Sequence, residues 1–174
     1  MKHFVFLTNQ YYPVPGATGV CIHQIAKYLV SKGNKVSVIC YGTQNKKDVS
    51  ENIDIYSIKA QSYLFKEKCS SKLLVKINRF RQLFDKLIHI QNYPLRSFSL
   101  VRRFVNTAKK ILKDDPNVTF IASYTPAEAV YAAAQLKKRF HDVKTVYYST
   151  DSLSDEGGNS GFLSAKYREK KGTR

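Results

Sequence analysis

The first forty residues constrain the fold most strongly, because apolar and turn-forming stretches alternate there in a characteristic order. His3–Thr8 is a short apolar run that predicts a buried strand, and Asn9–Gly19 has the prolines and glycines of a loop. Val20–Lys32 carries apolar residues at helical spacing, and Gly33 follows as a stop signal. Lys35–Tyr41 predicts a second strand. This order implies parallel strands joined by a right-handed crossover.

The same alternation returns later in the chain. Ile53–Ile58, Val118–Ser123 and Val143–Tyr148 predict three further strands. Between the last two, we expect a helix with Thr125 as N-cap and a core face of Ala129, Ala133, Leu136 and Phe140. A length of 174 residues suits one domain. We therefore expect a single α/β domain over 1–174, with a Rossmann-like parallel sheet flanked by helices.

Positive charge is concentrated in the middle of the chain. The net charge is +16, and residues 59–113 hold 14 Lys and Arg against 2 Asp and Glu. Two amphipathic basic helices are predicted within the segment 62–113, one over 72–91 and one over 95–113. Their basic flanks would suit an anionic membrane surface, through Lys72, Lys76, Arg79, Arg81, Lys86, Arg102 and Arg103. The alternative is a pair of core-packed helices whose basic face is merely solvated.

The loop before the first helix is the best candidate for a binding site. Gly16-Ala17-Thr18-Gly19 stands directly before the predicted helix, where amide hydrogens and the helix dipole favour an anion such as a diphosphate. It lacks the spacing of a dinucleotide-binding motif or a P-loop, so the glycines alternatively only turn the chain. His23 would lie on the surface of the helix, although it could reach a phosphate.

The order of these elements resembles a known family. Residues 3–58 are similar to the opening of retaining glycosyltransferases with the GT-B fold, of the large family four type, in their strand, Tyr-Pro loop, glycines and helix. The end of that helix and the next strand match in Ile25–Leu29 and Lys32–Ile39. Residues 118–156 are similar to members that assemble bacterial surface polysaccharides, including the acidic run Asp151–Glu156.

The resemblance implies roles for individual residues. Gly16, Thr18 and Gly19 would line the diphosphate of a nucleotide-sugar donor. The acceptor cleft would be lined by Tyr11, His23, Ser123, Tyr124 and Asp151. Many relatives carry a histidine at the position of Tyr124. Because retaining enzymes of this fold let the donor phosphate help to remove the acceptor proton, the resemblance assigns no general base and no cofactor besides the donor substrate.

The resemblance also implies what this chain would need from outside. In the family, a second Rossmann-like lobe grips most of the donor, and these 174 residues hold no such lobe. We therefore expect no sugar transfer by the chain alone. The acceptor would be a glycan or a lipid-linked sugar. The short apolar start of the chain predicts neither a signal peptide nor a membrane span, so we expect a cytoplasmic protein, peripheral at the inner face of the plasma membrane.

Other chemistries have weaker support in the sequence. The histidines lack metal-ligand spacing, and Asp151, Asp155 and Glu156 are more typical of a capped turn than of a cation site, so no metal is expected. The three cysteines, Cys21, Cys40 and Cys69, form no CxxC pair and are expected to pack as small apolar residues.

Two other function classes stay open. One is a non-enzymatic α/β module that binds an anionic membrane or nucleic acid through the basic middle region. Nucleic acid is not expected, because the chain shows no RRM, KH or helix-turn-helix signature. The other is a flavodoxin-like nucleotide-binding domain, although no acidic residue closes the second strand.

Overall fold

The computed structural model describes residues 1–11, 16–60, 95, 97–123 and 126–149. The chain divides into two compact units, one of Met1–Ala60 with Phe98–Thr150 and the other of Gln61–Ser97 with Asp151–Arg174. Every described helix and strand belongs to the first unit. The basic helix predicted over 72–91 lies outside the described residues, so that prediction is untested.

The first unit is built on one mixed sheet. In chain order its elements are β1 (His3–Leu7), α1 (Ala17–Ser31), β2 (Lys35–Gly42), β3 (Lys46–Ser50), β4 (Ile53–Lys59), α2 (Phe98–Asp114), β5 (Val118–Ser123), α3 (Ala127–Arg139) and β6 (Lys144–Tyr148). The strand order is β3-β4-β2-β1-β5-β6, with every neighbouring pair parallel except β3 and β4. The predicted α/β, Rossmann-like fold class is confirmed.

Helices cover both faces of the central strands. On one face, Val38 of β2 and Phe6 of β1 pack with Ile22 of α1 in a single apolar cluster. On the other, the Tyr41 ring at the end of β2 lies 5.6 Å from the Phe104 ring of α2, measured between centroids. Two covered faces explain why the central strands are almost continuously apolar. We refer to the first of these as the α1 face.

Several helix boundaries and core faces differ from the predictions. Helix α1 begins at Ala17 instead of Val20, so the second glycine of the loop lies inside the helix. The N-cap of α3 is Pro126, while Thr125 lies outside the described residues. Phe140 ends α3 with 37% of its surface exposed, because it stands at the C-cap beyond the packed turn.

The outer positions of α2 and β6 are exposed. Phe98, the first residue of α2, is 60% exposed, whereas Leu100 and Ile111 of the same helix are buried. Tyr147 is half exposed, because β6 is an edge strand.

Strand β3 was not predicted from the sequence. Its residues are all exposed, and Val49 is its one apolar side chain, so the segment gives no hydrophobic signal. It pairs antiparallel with β4 through the two-residue turn Glu51-Asn52, whose φ angles are +51° and +61°. Two consecutive positive φ values are typical of a type I′ hairpin turn. The hairpin extends the sheet at a polar edge.

Candidate functional site

The strand order creates a switch point between β1 and β5. From β1 the chain proceeds through β2 to β4 on one side, whereas β5 and β6 lie on the other side. In open parallel sheets the connections leave the carboxyl ends of two such strands in opposite directions, and the crevice between them is where ligands bind. Here that crevice lies beyond Leu7 and Ser123, the last residues of β1 and β5.

Helix α1 connects the parallel strands β1 and β2, so it begins at the edge of the sheet where β1 ends, and its first turn has no side-chain cap. Gly16 is the N-cap, with no side-chain hydrogen bond to the first turn and no acidic residue within that turn. The first helical bond runs from the Val20 amide to the Gly16 carbonyl at 3.0 Å. The amides of Ala17, Thr18 and Gly19 therefore have no acceptor within the helix, and the dipole adds partial positive charge there.

Gly16 contributes small size rather than unusual backbone freedom. Its φ of −78° is open to any residue. A Cβ on Gly16 would lie 3.1 Å from Oε1 of Gln10, a flexible side chain that can move aside. Gly16 therefore keeps the approach to the first turn open, and its replacement by alanine is compatible with the fold.

Thr8 presents a buried hydroxyl without a partner at the same place. Its side chain is 0% exposed, and among the described residues its Oγ1 is the one buried side-chain polar atom that has no hydrogen bond. The ladder continues through it, since the Thr8 amide donates to the Ile39 carbonyl at 3.0 Å. Side chains alternate along an extended chain, so Thr8 shares the α1 face with Phe6. Thr8 therefore lies at the carboxyl end of β1, on the face of the sheet that α1 covers.

Two further hydroxyl residues follow Thr8 across the sheet. Leu7 pairs with Ala122, so Ser123 stands beside Thr8 one step further on, and Ser123 pairs with Tyr148 of β6. The Ser123 hydroxyl donates to the Leu7 carbonyl at 3.1 Å. Tyr148 packs against the α1-face cluster. Burial raises the pKa of Tyr148, and the nearby Cys21 adds a smaller increase. We call Thr8, Ser123 and Tyr148 the hydroxyl row.

Tyr11 and His23 form a buried pair beside the first turn of α1. The Tyr11 hydroxyl lies 2.9 Å from Nδ1 of His23, and the two rings meet edge to face with centroids 5.7 Å apart. Both side chains are buried. The prediction that His23 lies on the helix surface is therefore wrong, because the His23 ring packs against Tyr11 in the loop that follows β1.

The two described cysteines differ in burial, although all three cysteines were expected to pack as small apolar residues. Cys40 is buried in β2, as predicted, and burial raises the pKa of its thiol to about 11, against a smaller lowering by Ser57. Cys21 is exposed on α1, so the prediction that it packs is wrong. Cys69 lies outside the described residues. Within the described ranges, no three His, Cys, Asp or Glu residues are grouped so that they could hold a metal ion.

Helix α2 carries a basic surface away from the hydroxyl row. It contains five basic residues and one acidic residue, and Arg102, Arg103, Lys110 and Lys113 are exposed. None of the ion pairs found among the described residues involves a side chain of α2. The Arg103 guanidinium donates to the Lys59 carbonyl. No helix in the described part of the chain is long and apolar enough to cross a membrane.

The structure thus gathers only part of the predicted site. Gly16, Thr18 and Gly19 come together at the start of α1, with Tyr11, His23 and Ser123 nearby. Two predicted cleft residues and five predicted membrane residues lie outside the described residues, namely Tyr124, Asp151, Lys72, Lys76, Arg79, Arg81 and Lys86. Thr8, Tyr148 and Glu51 were missed, although the position of Thr8 at the end of a buried strand was a usable signal.

The arrangement offers amide donors without an acceptor in the helix, a buried hydroxyl and a positive helix end near one switch point, and such groups suit a phosphoryl group. It offers no carboxylate in the first turn of α1 to compete with such a group.

Compared with known proteins, the chain matches no protein-family model and no curated protein sequence.

Proposed function

We propose that this chain is the amino-terminal, acceptor-side lobe of a retaining GT-B glycosyltransferase of the family four type. The lobe contributes the diphosphate contact and the acceptor surface, and another lobe holds most of the nucleotide sugar. The observation that carries the proposal is the unpartnered Thr8 hydroxyl, buried at the switch point beneath the uncapped first turn of α1. A buried hydroxyl without a partner costs about 1–3 kcal/mol, which a bound oxygen atom would recover.

The diphosphate would take its contacts from α1 and β1. Amides of Ala17, Thr18 and Gly19 donate to one phosphoryl group, and the Thr8 hydroxyl donates to an oxygen facing the sheet. Ser123 and Tyr148, which continue the hydroxyl row, would meet hydroxyl groups of a sugar. Catalysis would then consist of holding the acceptor oxygen against the anomeric carbon and stabilising charge on the leaving phosphate.

Amide NMR with inorganic pyrophosphate tests this anion site directly. We expect the amide resonances of Ala17, Thr18 and Gly19 to shift on titration and those of the β3–β4 hairpin to stay in place. The matched variants Thr8→Val and Thr8→Ser separate the hydroxyl from side-chain shape, so only Thr8→Val should weaken binding. Saturating shifts confined to the exposed lysines of the hairpin would overturn the proposal.

A nucleotide panel separates this proposal from a nucleotide-binding domain. Because the other lobe would hold the nucleoside, we expect pyrophosphate, UDP, GDP and ADP to bind this chain within about threefold of each other, or ~0.7 kcal/mol. A preference of tenfold or more for one nucleotide would favour the flavodoxin-like hypothesis. Sugar transfer by the chain alone would contradict the proposed division between lobes.

We further propose that α2 brings the lobe to an anionic membrane, where a lipid-linked acceptor resides. Its exposed arginines and lysines have no described carboxylate partner. The exposed basic end of α3, Lys137–Arg139, packs on the same side of the sheet. Each basic residue near such a surface contributes about 1 kcal/mol.

Vesicle flotation tests the membrane contact. We expect recovery with phosphatidylglycerol vesicles and little with phosphatidylcholine vesicles, and a reduced recovery for the double variant Arg102→Glu, Lys110→Glu. The control is Lys32→Glu, which reverses an exposed charge at the C-cap of α1, on the opposite face of the sheet. Equal recovery from both vesicle types would remove the membrane from the proposal. Steeply salt-dependent binding to an oligonucleotide, without lipid preference, would favour the non-enzymatic nucleic-acid module.

A further inference from the structure

A chain of polar contacts joins three elements next to the first turn of α1. The Tyr11 hydroxyl meets Nδ1 of His23 at 2.9 Å, and Nε2 of His23 lies 3.6 Å from a carboxylate oxygen of Glu51. The same Glu51 oxygen accepts from Lys27 at 3.1 Å. Tyr11 follows β1, His23 and Lys27 belong to α1, and Glu51 occupies the turn of the β3–β4 hairpin.

The contacts favour one direction for the hydrogen bond in the buried pair. The carboxylate of Glu51 lies 3.6 Å from Nε2 and favours the tautomer with its proton on that nitrogen, in which Nδ1 is an acceptor. The Tyr11 hydroxyl therefore donates to Nδ1. Because Tyr11 and His23 are both buried, their hydrogen bond is protected from competing water.

Tyr11 lies in the loop between β1 and α1, so its hydrogen bond to His23 connects these two elements. Tyr11 lies four residues after the end of β1 and five before Gly16, the N-cap of α1. His23 lies in the second turn of that helix. Their bond ties the end of β1 to the start of α1, and hence the Thr8 hydroxyl to the amides of the first turn.

We propose that Tyr11 and His23 are positioning residues for the anion site, and that Glu51 orients the His23 ring from the hairpin turn. The inference rests on the proposed function only for the identity of the ligand. It goes beyond it by assigning the geometry of the site to a Tyr–His–Glu chain, whose members touch no ligand.

Three substitutions test this role in the full chain. Tyr11→Phe removes only the hydroxyl. His23→Asn keeps an acceptor near the place of Nδ1, whereas His23→Gln places its amide near the place of Nε2. The main readout is hydrogen exchange at the Val20 amide, which closes the first turn on the Gly16 carbonyl. The Leu29 amide, near the other end of α1, is the internal control.

We expect Val20 to exchange about tenfold faster in Tyr11→Phe and His23→Gln, and to stay close to wild type in His23→Asn. Leu29 should not change in any of them. The ¹⁵N resonance of His23 Nδ1 should shift in Tyr11→Phe, as a signature of the lost donor. Unchanged exchange at Val20 in Tyr11→Phe, or an equal acceleration at Val20 and Leu29, would overturn the positioning role.

Pyrophosphate titration of the same variants then separates this inference from the proposed function. Where wild type binds, Tyr11→Phe and His23→Gln should weaken binding about fivefold, with rescue in His23→Asn. Equal affinity in all three variants would contradict the positioning role. If wild type shows no binding, the proposed function fails, and the exchange at Val20 still decides whether the chain holds the first turn.

Discussion

The two ends of β1 treat buried polar groups in opposite ways. At the amino end, His3 is 3% exposed and uses both ring nitrogens, with Asp115 at 2.9 Å from Nδ1 and Ser37 at 2.9 Å from Nε2. At the carboxyl end, Thr8 is equally buried, and its hydroxyl has no hydrogen-bond partner among the described residues. An unsatisfied buried group needs an explanation, and this contrast between the two ends supports the proposal that the carboxyl end holds a ligand.

The amino end shows why residue types alone do not establish a site. Ser37, His3 and Asp115 repeat the order of contacts of a hydrolytic triad. Ser37 is 0% exposed, so no substrate can reach its hydroxyl. The three residues instead tie β1, β2 and the segment between α2 and β5 together. This cluster therefore stabilises the fold, whereas we propose that the carboxyl end serves binding.

The largest expected effect is at the amino end. His3→Ala leaves Ser37 and Asp115 without their partner, and it should lower the free energy of unfolding by about 3 kcal/mol in urea denaturation. Pyrophosphate binding by the folded variant should stay within about twofold of wild type. The control is His141→Ala, an exposed turn position with an expected change within about 0.5 kcal/mol. If His3→Ala lowers the free energy of unfolding by less than about 0.5 kcal/mol, the polar cluster at the amino end of β1 does not stabilise the fold.

The pH dependence of stability should come next in size. Burial lowers the pKa of His3 below 6.5, and the hydrogen bond to Asp115 offsets this only in part. As the pH falls below about 6.5, His3 is protonated in the unfolded chain before it is protonated in the folded chain. The free energy of unfolding therefore decreases, by at most about 1.4 kcal/mol per pH unit for one group. Once the pH passes the lowered pKa, this loss levels off.

Urea midpoints of wild type and His3→Gln, measured between pH 8 and pH 5, check this dependence. The difference between the two slopes belongs to His3, because other groups titrate in both proteins. Parallel slopes would show that His3 takes its proton equally in the folded and unfolded chains, and the contrast between the two ends of β1 would lose its electrostatic part.

A smaller effect is expected from an acidic residue placed at the open end of α1. Ala17→Glu adds a negative charge to the exposed first turn, which should stabilise the helix by about 0.5 kcal/mol. The same charge should weaken pyrophosphate binding about tenfold or more, because it occupies and repels the anion site. The control Gln24→Glu places the charge two turns further along α1 and should weaken binding much less. Equal affinity of both variants would move the anion away from the first turn.

Much of the fold follows from local sequence, whereas the site depends on contacts between distant residues. The bounds of β5 were predicted to the residue and those of β1 within one, because buried parallel strands have a continuous apolar signal. The exposed strand β3 gives none. The burial of His23 was not predictable, because it depends on contact with the ring of Tyr11, which lies twelve residues earlier in the chain.

The hydroxyl row was missed for a related reason. A threonine after a buried strand indicates a strand end, and only the pairing of β1 with β5 and of β5 with β6 shows that Ser123 and Tyr148 continue the row. The lack of a partner for Thr8 is a property of the folded chain, so no pattern in the sequence reports it.

Two deletions of a buried hydroxyl test the central claim most directly, one at Thr8 after the carboxyl end of β1 and one at Ser37, which contacts His3 at the amino end of β1. Thr8→Val and Ser37→Ala each remove a fully buried hydroxyl, and the measurement is the free energy of unfolding of both without ligand. We expect Ser37→Ala to lose about 1 kcal/mol, because His3 loses a partner, and Thr8→Val to gain about 1 kcal/mol, because an unsatisfied group disappears. A loss of stability in Thr8→Val would show that its hydroxyl is already satisfied in the folded protein, and would contradict the assignment of this end of the sheet to a ligand.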